Sequence, residues 1–233
     1  MSKKFANKLS QDQADALSAI GSWLKSGKTQ YITLGGYAGT GKTTLLAALR
    51  QVLKDNRPNM SVSFGAFTGK AAQVLHSKLK EDKILEPRDS CSTLHSLMYY
   101  SKGGKDAAPS WTKRENLKYD LLVVDEASMV SEEIWNDLLS FGKPIIAVGD
   151  HGQLPPINSS FNLMAEPVLR LERIWRQAAD SPIIELATMA RTSGAIPVGE
   201  YGVGVRKLSR SEPTTGDEIE QILSGPADER LVL

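Results

Sequence analysis

Eight consecutive residues, GYAGTGKT at Gly36–Thr43, combine side chains that suit the capture of a polyphosphate. The glycines let the backbone approach an anion and turn several N–H groups inward. Lys42 carries an ammonium long enough to reach the outer phosphates, and the Thr43 hydroxyl is a hard oxygen of the kind that ligates Mg2+. Gly36, Ala38, Gly39, Thr40, Gly41, Lys42, Thr43 and Thr44 are therefore the candidate phosphate contacts. A second group is LLVVDEAS (121–128), an apolar run that ends in two acids. Asp125 can complete a Mg2+ shell through water, and Glu126 can orient and deprotonate an attacking water. In a third, AVGDHGQLPPI (147–157), Gln153 can hydrogen-bond a terminal phosphate and Asp150 can hold either the loop or a water behind the metal. The double proline at 155–156 would stiffen this segment so that it moves as a unit.

These groups need elements that bring them together. Residues 9–26 place Leu9, Ala14, Leu17, Ile20, Trp23 and Leu24 at helical spacing behind Ser10, a suitable N-cap. YITLGG (31–36) predicts a strand, and the good helix formers after Gly41 predict a helix whose positive end faces the same anion. Further strands are predicted at 61–67, 119–127 and 144–150, with helices around Ala71–Leu79 and Glu132–Leu139. Apolar strands alternating with helices imply an α/β fold: a mainly parallel sheet covered on both faces, with the ligand loops along one edge. Between Tyr99 and Lys118 the pattern lapses, and Gly103-Gly104 suggests a small hairpin insertion. Helical period resumes after Ser181-Pro182, and the tail from Gly194 is expected to be partly irregular or mobile.

Composition sets limits. The 233 residues are 41% hydrophobic and 24% charged, ordinary for a globular chain. Lys plus Arg number 28 against 27 Asp plus Glu, so any nucleic-acid contact must come from a local groove rather than from bulk charge. One cysteine, Cys91, excludes an internal disulfide and fits a reducing compartment. No apolar run approaches the roughly 20 residues that span a bilayer. A cytoplasmic protein without a membrane partner is expected.

Seven segments in order, LSQDQ (9–13), GYAGTGKTT (36–44), FGAFTGKAAQVL (64–75), STLHSL (92–97), VVDEASM (123–129), VGDHGQLPPI (148–157) and LERIWRQ (171–177), carry a resemblance. The chain resembles the first RecA-like motor domain of superfamily 1 DNA helicases, in the RecD and phage Dda group that moves 5′ to 3′. The resemblance implies a RecA-like P-loop NTPase fold, with ATP and Mg2+ as cofactors and single-stranded or fork DNA as partner. It implies that Gln13 reads adenine, that Thr68, Gly69 and Lys70 grip the strand backbone, and that Thr93 and His95 make further strand contacts. Arg176 matches an arginine that reaches the γ-phosphate, with Arg173 as the competing candidate. Lys42, Glu126, Gln153 and Arg176 would then form the catalytic set, and Thr43 and Asp125 the metal ligands.

The same resemblance places residues 1–192 in the motor domain, with a possible pin-like insertion at 99–118, and 193–233 in an extension toward a second motor domain. A helicase of this group needs that second RecA-like domain to translocate. The chain is thus expected to be a piece of a longer protein, one half of a split helicase joined by a second chain, or a stand-alone domain. The rival functions are a nucleotide-dependent binding module with little turnover, and a small-molecule kinase, which leaves QLPP and STLHSL unexplained. Tyr99, Tyr100 and Trp111 either stack on a base at a duplex junction or pack onto the domain. If they stack, replacing all three with alanine should abolish strand separation and spare DNA-stimulated ATP hydrolysis; unchanged unwinding contradicts the stacking role.

Overall fold

The computed structural model describes residues 9–102, 110–153, 156, 161–173, 181–202, 205–209, 211, 216, 217, 220 and 224. Arg176, Pro155 and the hairpin tip at 103–109 lie outside the described residues.

The chain divides into two compact units, Met1–Trp175 and Arg176–Leu233. In the first unit, helix α1 (Gln11–Ser26) precedes strand β1 (Tyr31–Gly36), helix α2 (Lys42–Asn56), β2 (Val62–Ala66) and α3 (Gly69–Glu81). Then come β3 (Ser90–Thr93), the short α4 (Leu94–Met98), and the hairpin strands β4 (Tyr99–Lys102) and β5 (Ser110–Lys113). β6 (Leu121–Asp125), α5 (Glu132–Ser140), β7 (Ile145–Gly149) and β8 (Leu169–Leu171) complete the unit. Six strands pair in the order β3-β2-β6-β7-β1-β8, and each pairing is parallel. This is the α/β, RecA-like arrangement that the sequence predicts.

A parallel sheet has no wet face, and the strands show it. In β6, Leu121 and Val123 join one core with α1, α2 and α3, while Leu122 and Val124 join the other with α4 and α5. In β7, Ile146 and Val148 face the first core, and Ile145 and Ala147 the second. The period of two is the pleat itself, and both phases must be apolar because helices cover both sides. The sequence predicts four of the six strands. The edge strands β3 (SCST) and β8 (LRL) are short and lack an apolar run, so they escape a pattern search.

In the second unit, Ser181 stands at the N-cap position of α6 (Pro182–Ser193) without a side-chain capping bond, and the first residue of the helix is the proline suited to that position. Part of the tail expected to be irregular forms an antiparallel hairpin of β9 (Gly199–Gly202) and β10 (Val205–Lys207), register-shifted between Val205 and Arg206. Its strands are too short and glycine-rich to carry an alternating signal.

One ion pair ties α2 to the β2–β3 side of the sheet. Arg50, on α2, is 1% exposed in its side chain and Asp89 is 0% exposed. Asp89 accepts from Arg50 Nε at 2.6 Å and Nη2 at 3.2 Å, and from the N–H groups of Val62 and Glu86 at 2.9 Å each. The pair therefore fixes the helix behind the phosphate loop to strand β2. Removing one member strands the other in the core. Arg50→Met is expected to lower the unfolding free energy by about 3–5 kcal/mol, measured by urea titration.

Candidate nucleotide site

β1 ends at Gly36, and the phosphate loop turns from it into α2. Gly39 and Gly41 sit at φ 80° and 78°, a left-handed backbone that a side chain would strain, so the turn needs glycine at both places. Thr40 closes the loop by donating through N and Oγ1 to the Tyr37 carbonyl at 3.3 and 2.8 Å. α2 begins without a side-chain cap and without an acid in its first turn, which leaves its positive end available to an anion. Lys42 Nζ donates to the carbonyls of Gly36 at 2.6 Å and Tyr37 at 3.1 Å, holding the ammonium at the loop. Thr43 and Thr44 stand half-buried in the first turn of α2.

Gln13, fully buried, donates Nε2 to the carbonyls of Thr40 at 2.9 Å and Gly41 at 3.4 Å, and accepts from Ser10 N at 3.0 Å. The side chain predicted to read adenine is thus joined to the back of the phosphate loop. Its neighbour Asp12 accepts from Ser10 Oγ and from the N–H groups of Gln13, Glu172 and Arg173. Burial pushes the Asp12 carboxyl up, but these hydrogen bonds together hold it below the usual carboxylate range. The first turn of α1 therefore grips both the phosphate loop and the chain leaving β8, three residues before Arg176. No sequence pattern announces this role for Asp12.

Asp125 ends β6, and Glu126 follows at φ 55°, ψ 40°, a left-handed backbone unusual for a residue with a side chain. Such strain costs about 1–3 kcal/mol and persists only where the surroundings enforce it. Burial and the Glu126 charge push the Asp125 carboxyl up to about 6, while the Glu126 N–H, at 3.1 Å, and the Lys42 ammonium pull it back. A half-buried carboxylate that feels the Lys42 ammonium of the phosphate loop offers, with the Thr43 hydroxyl, hard oxygens of the kind that suit Mg2+. That ion takes few protein ligands and fills its shell from water and phosphate. Among the described residues no cluster of three His, Cys, Asp or Glu occurs.

Beyond Asp125, Ala127–Met129 forms a single 3-10 turn. Its buried Ser128, 2% exposed, donates Oγ to Gln153 Oε1 at 2.7 Å. A Cβ on Gly149 would stand 2.7 Å from Met164 Cγ and 2.9 Å from Ser128 N, so a bare residue at the end of β7 lets the two loops touch. Gln153 is exposed, and this bond engages its side-chain oxygen. Asp150 Oδ1 accepts from Gly152 N at 2.8 Å, holding the loop as expected. His151 packs its ring 4.1 Å from that of Tyr37 in the phosphate loop, a contact the sequence did not announce.

The expected strand-contact residues gather at the same sheet edge, because Ala66 pairs with both Thr93 and Asp125. Thr68 caps α3 by accepting from Ala71 N at 3.2 Å, and Thr93 caps α4 by accepting from Ser96 N at 3.2 Å. Gly69, Lys70 and His95 are exposed. At the hairpin, the three aromatics divide. Tyr99 donates to Asp137 on α5, which also pairs with Lys113 Nζ at 2.5 Å, so Tyr99 belongs to the hairpin's foot. Burial and the Asp137 carboxylate push the Tyr99 phenol up to about 12. Trp111 is 58% exposed with its ring 6.0 Å from that of His95, and Tyr100 is also exposed.

These features define a P-loop nucleotide-binding domain of RecA-like form. A family model described as an AAA domain matches residues 8–205, and the chain belongs to that family. The ATP-dependent RecD2 DNA helicase of Deinococcus radiodurans is 32% identical over 192 residues, covering 79% of this chain and 24% of that protein. The ATP-dependent DNA helicase dda of Enterobacteria phage T4 is 26% identical over 196 residues, covering 78% of this chain and 42% of that protein. A crystal structure of the Pif1 helicase from Candida albicans superposes with a TM-score of 0.48 at 23% identity, over 81% of this chain and 45% of that one. The chain thus spans less than half the length of these relatives. It is homologous to the RecD2 and Dda helicases. Among the described residues no helix is long and apolar enough to cross a membrane.

A carboxyl at 3.8 when unfolded and about 6 when folded is charged in both states at higher pH, where its burial subtracts from stability. The penalty shrinks as pH falls from about 6 toward 4, because the folded state takes up the proton first. In chelator, Asp125→Asn should therefore melt above the wild type at about pH 8 and level with it near pH 4. The same variant should lose Mg2+-dependent nucleotide hydrolysis. A melting difference that does not change with pH contradicts this account.

Proposed function

We propose that this chain is the first motor domain of an ATP-dependent DNA helicase, hydrolysing ATP with Mg2+ and holding single-stranded or fork DNA. The observation that carries the reading is the convergence of four strand exits on one sheet edge: the phosphate loop after Gly36, the acids at Asp125 and Glu126, Gln153 beyond Gly149, and the arginine-bearing segment after Leu171.

In this reading the amides of the loop, with Gly36, Ala38, Gly39, Thr40 and Gly41, cradle the phosphates, and Lys42 moves from its carbonyl partners to the β- and γ-oxygens. Thr43 and Asp125 would hold Mg2+, which would supply positive charge to offset that of the phosphates. Glu126 takes a proton from the attacking water at its carboxylate. Gln153, its oxygen secured by Ser128, donates to the γ-phosphate, and Arg176 supplies a guanidinium there. Gln13 couples base binding to the loop through Thr40 and Gly41, and Thr44 joins the nucleotide contacts. Thr68, Gly69, Lys70, Thr93 and His95 contact the strand. Movement runs 5′ to 3′. Stepping requires a second RecA-like domain, on this chain's continuation from residues 193–233 or on a partner chain, because one domain cannot alternate its grip. The domain works in the cytoplasm.

Steady-state ATP hydrolysis, with and without single-stranded DNA, tests this in the wild type and in Glu126→Gln. The expected outcome is turnover stimulated by DNA in the wild type and a loss of about 100-fold or more in the variant, with nucleotide binding retained. Tight ATP binding without turnover in the wild type would instead mark a nucleotide-dependent binding module. No affinity for Mg2+-ATP at millimolar concentration overturns both readings.

A further inference from the structure

Beyond the edge strand β3 lies a cleft of about 420 Å3 that none of the roles above uses. It runs between β3, α4 and the chain returning from the hairpin. Its polar lining includes Ser92, Ser96, Arg114, Asn116 and Lys118 over a floor of the buried Leu97 and Leu117. Among the described residues no carboxylate lines it, and neither of its cations makes an ion pair. Instead Arg114 stands 5.8 Å from the Tyr100 ring centroid and Lys118 5.6 Å from that of Tyr119. Ring faces steady a cation without neutralising it. Ser96 Oγ accepts from Thr93 Oγ1 at 2.9 Å, so its own hydrogen remains free to donate.

We propose that this cleft binds a backbone phosphate of a nucleic-acid strand, extending the strand path from Thr93 and His95 to the foot of the hairpin. This rests on the DNA-binding reading above. The chemistry is that of a phosphodiester: a guanidinium fork, an ammonium, a hydroxyl donor and an amide donor face one space. Among the described residues no pair of rings faces across it to hold a base. The nucleotide's own phosphates cannot be the occupant. β3 stands four strand spacings from β1 in the sheet, about 19 Å from the phosphate loop. The site also explains how a chain with balanced charge can hold a polyanion: two uncompensated cations stand where the strand passes.

The test is the salt dependence of binding to a fluorescein-labelled oligothymidine, followed by anisotropy. Arg114→Ala/Lys118→Ala should weaken binding about 5-fold at 0.1 M salt for each phosphate left without its cation. It should also flatten the slope of log K against log salt by about 0.7 for each such phosphate. Melting temperature and DNA-free ATP hydrolysis should stay at wild-type values. Arg114→Lys/Lys118→Arg should keep the wild-type slope. Lys25→Ala/Arg57→Ala removes the same charge at the far ends of α1 and α2 and should also leave the slope unchanged. If wild type binds the oligonucleotide and the alanine pair matches it in affinity and slope, the cleft proposal falls and the DNA-binding reading stands. If wild type binds no oligonucleotide, both fall. If the Lys25/Arg57 pair flattens the slope equally, the effect is general charge and the cleft is overturned. Inorganic phosphate replacing chloride at equal ionic strength should not displace the oligonucleotide; displacement to the level of the alanine pair would mark a free-anion site and overturn the proposal.

Discussion

Parallel pairing is the constraint on which the remainder of this molecule depends. A parallel strand can be followed by another only through a crossover, so each connection starts from the same edge of the sheet. With β1 set between β7 and β8, the phosphate loop, the Gln153 loop and the chain leaving Leu171 start side by side. With β6 next to β7, the acids join them. Chemistry gathers there because the hydrogen-bond ladder leaves the loops nowhere else to begin.

Around that edge the contacts are between loops rather than within them. Gln13 reaches the carbonyls of Thr40 and Gly41, Asp12 the amides after β8, His151 the ring of Tyr37, and Ser128 the amide of Gln153. The bond from Gln13 to Thr40 is buried and those to Gly41 and Gln153 are half-buried, so displacement of one loop is felt by its neighbour. The hairpin is wired in similarly, since Asp137 on the helix after the acids receives both Tyr99 and Lys113 from its foot.

The central strands and the principal loops were legible because their signals are local. A phosphate loop needs glycines at set spacing, and a strand buried on both faces must be apolar throughout. What escaped the sequence was relational. β3 and β8 exist as strands only because β2 and β1 offer them an edge, and their four and three residues carry no pattern of their own. Gln13 and Asp12 look like ordinary first-turn residues, and only the fold brings Thr40, Gly41, Glu172 and Arg173 against them. Tyr99 could not be told from Tyr100 by type; its burial against Asp137 separates them. The cleft around Arg114 draws on three separate stretches of chain and has no linear signature.

The backbone twist at Glu126 has a consequence for the history of such a chain. Glycine or asparagine there would relax the left-handed conformation and make folding easier, yet each discards the carboxylate. On the role proposed for Glu126, selection for heat tolerance alone would drift toward inert descendants, while selection for work retains the strained residue and must find robustness elsewhere. A glutamate kept in this posture across lineages would be a fossil of continuous use.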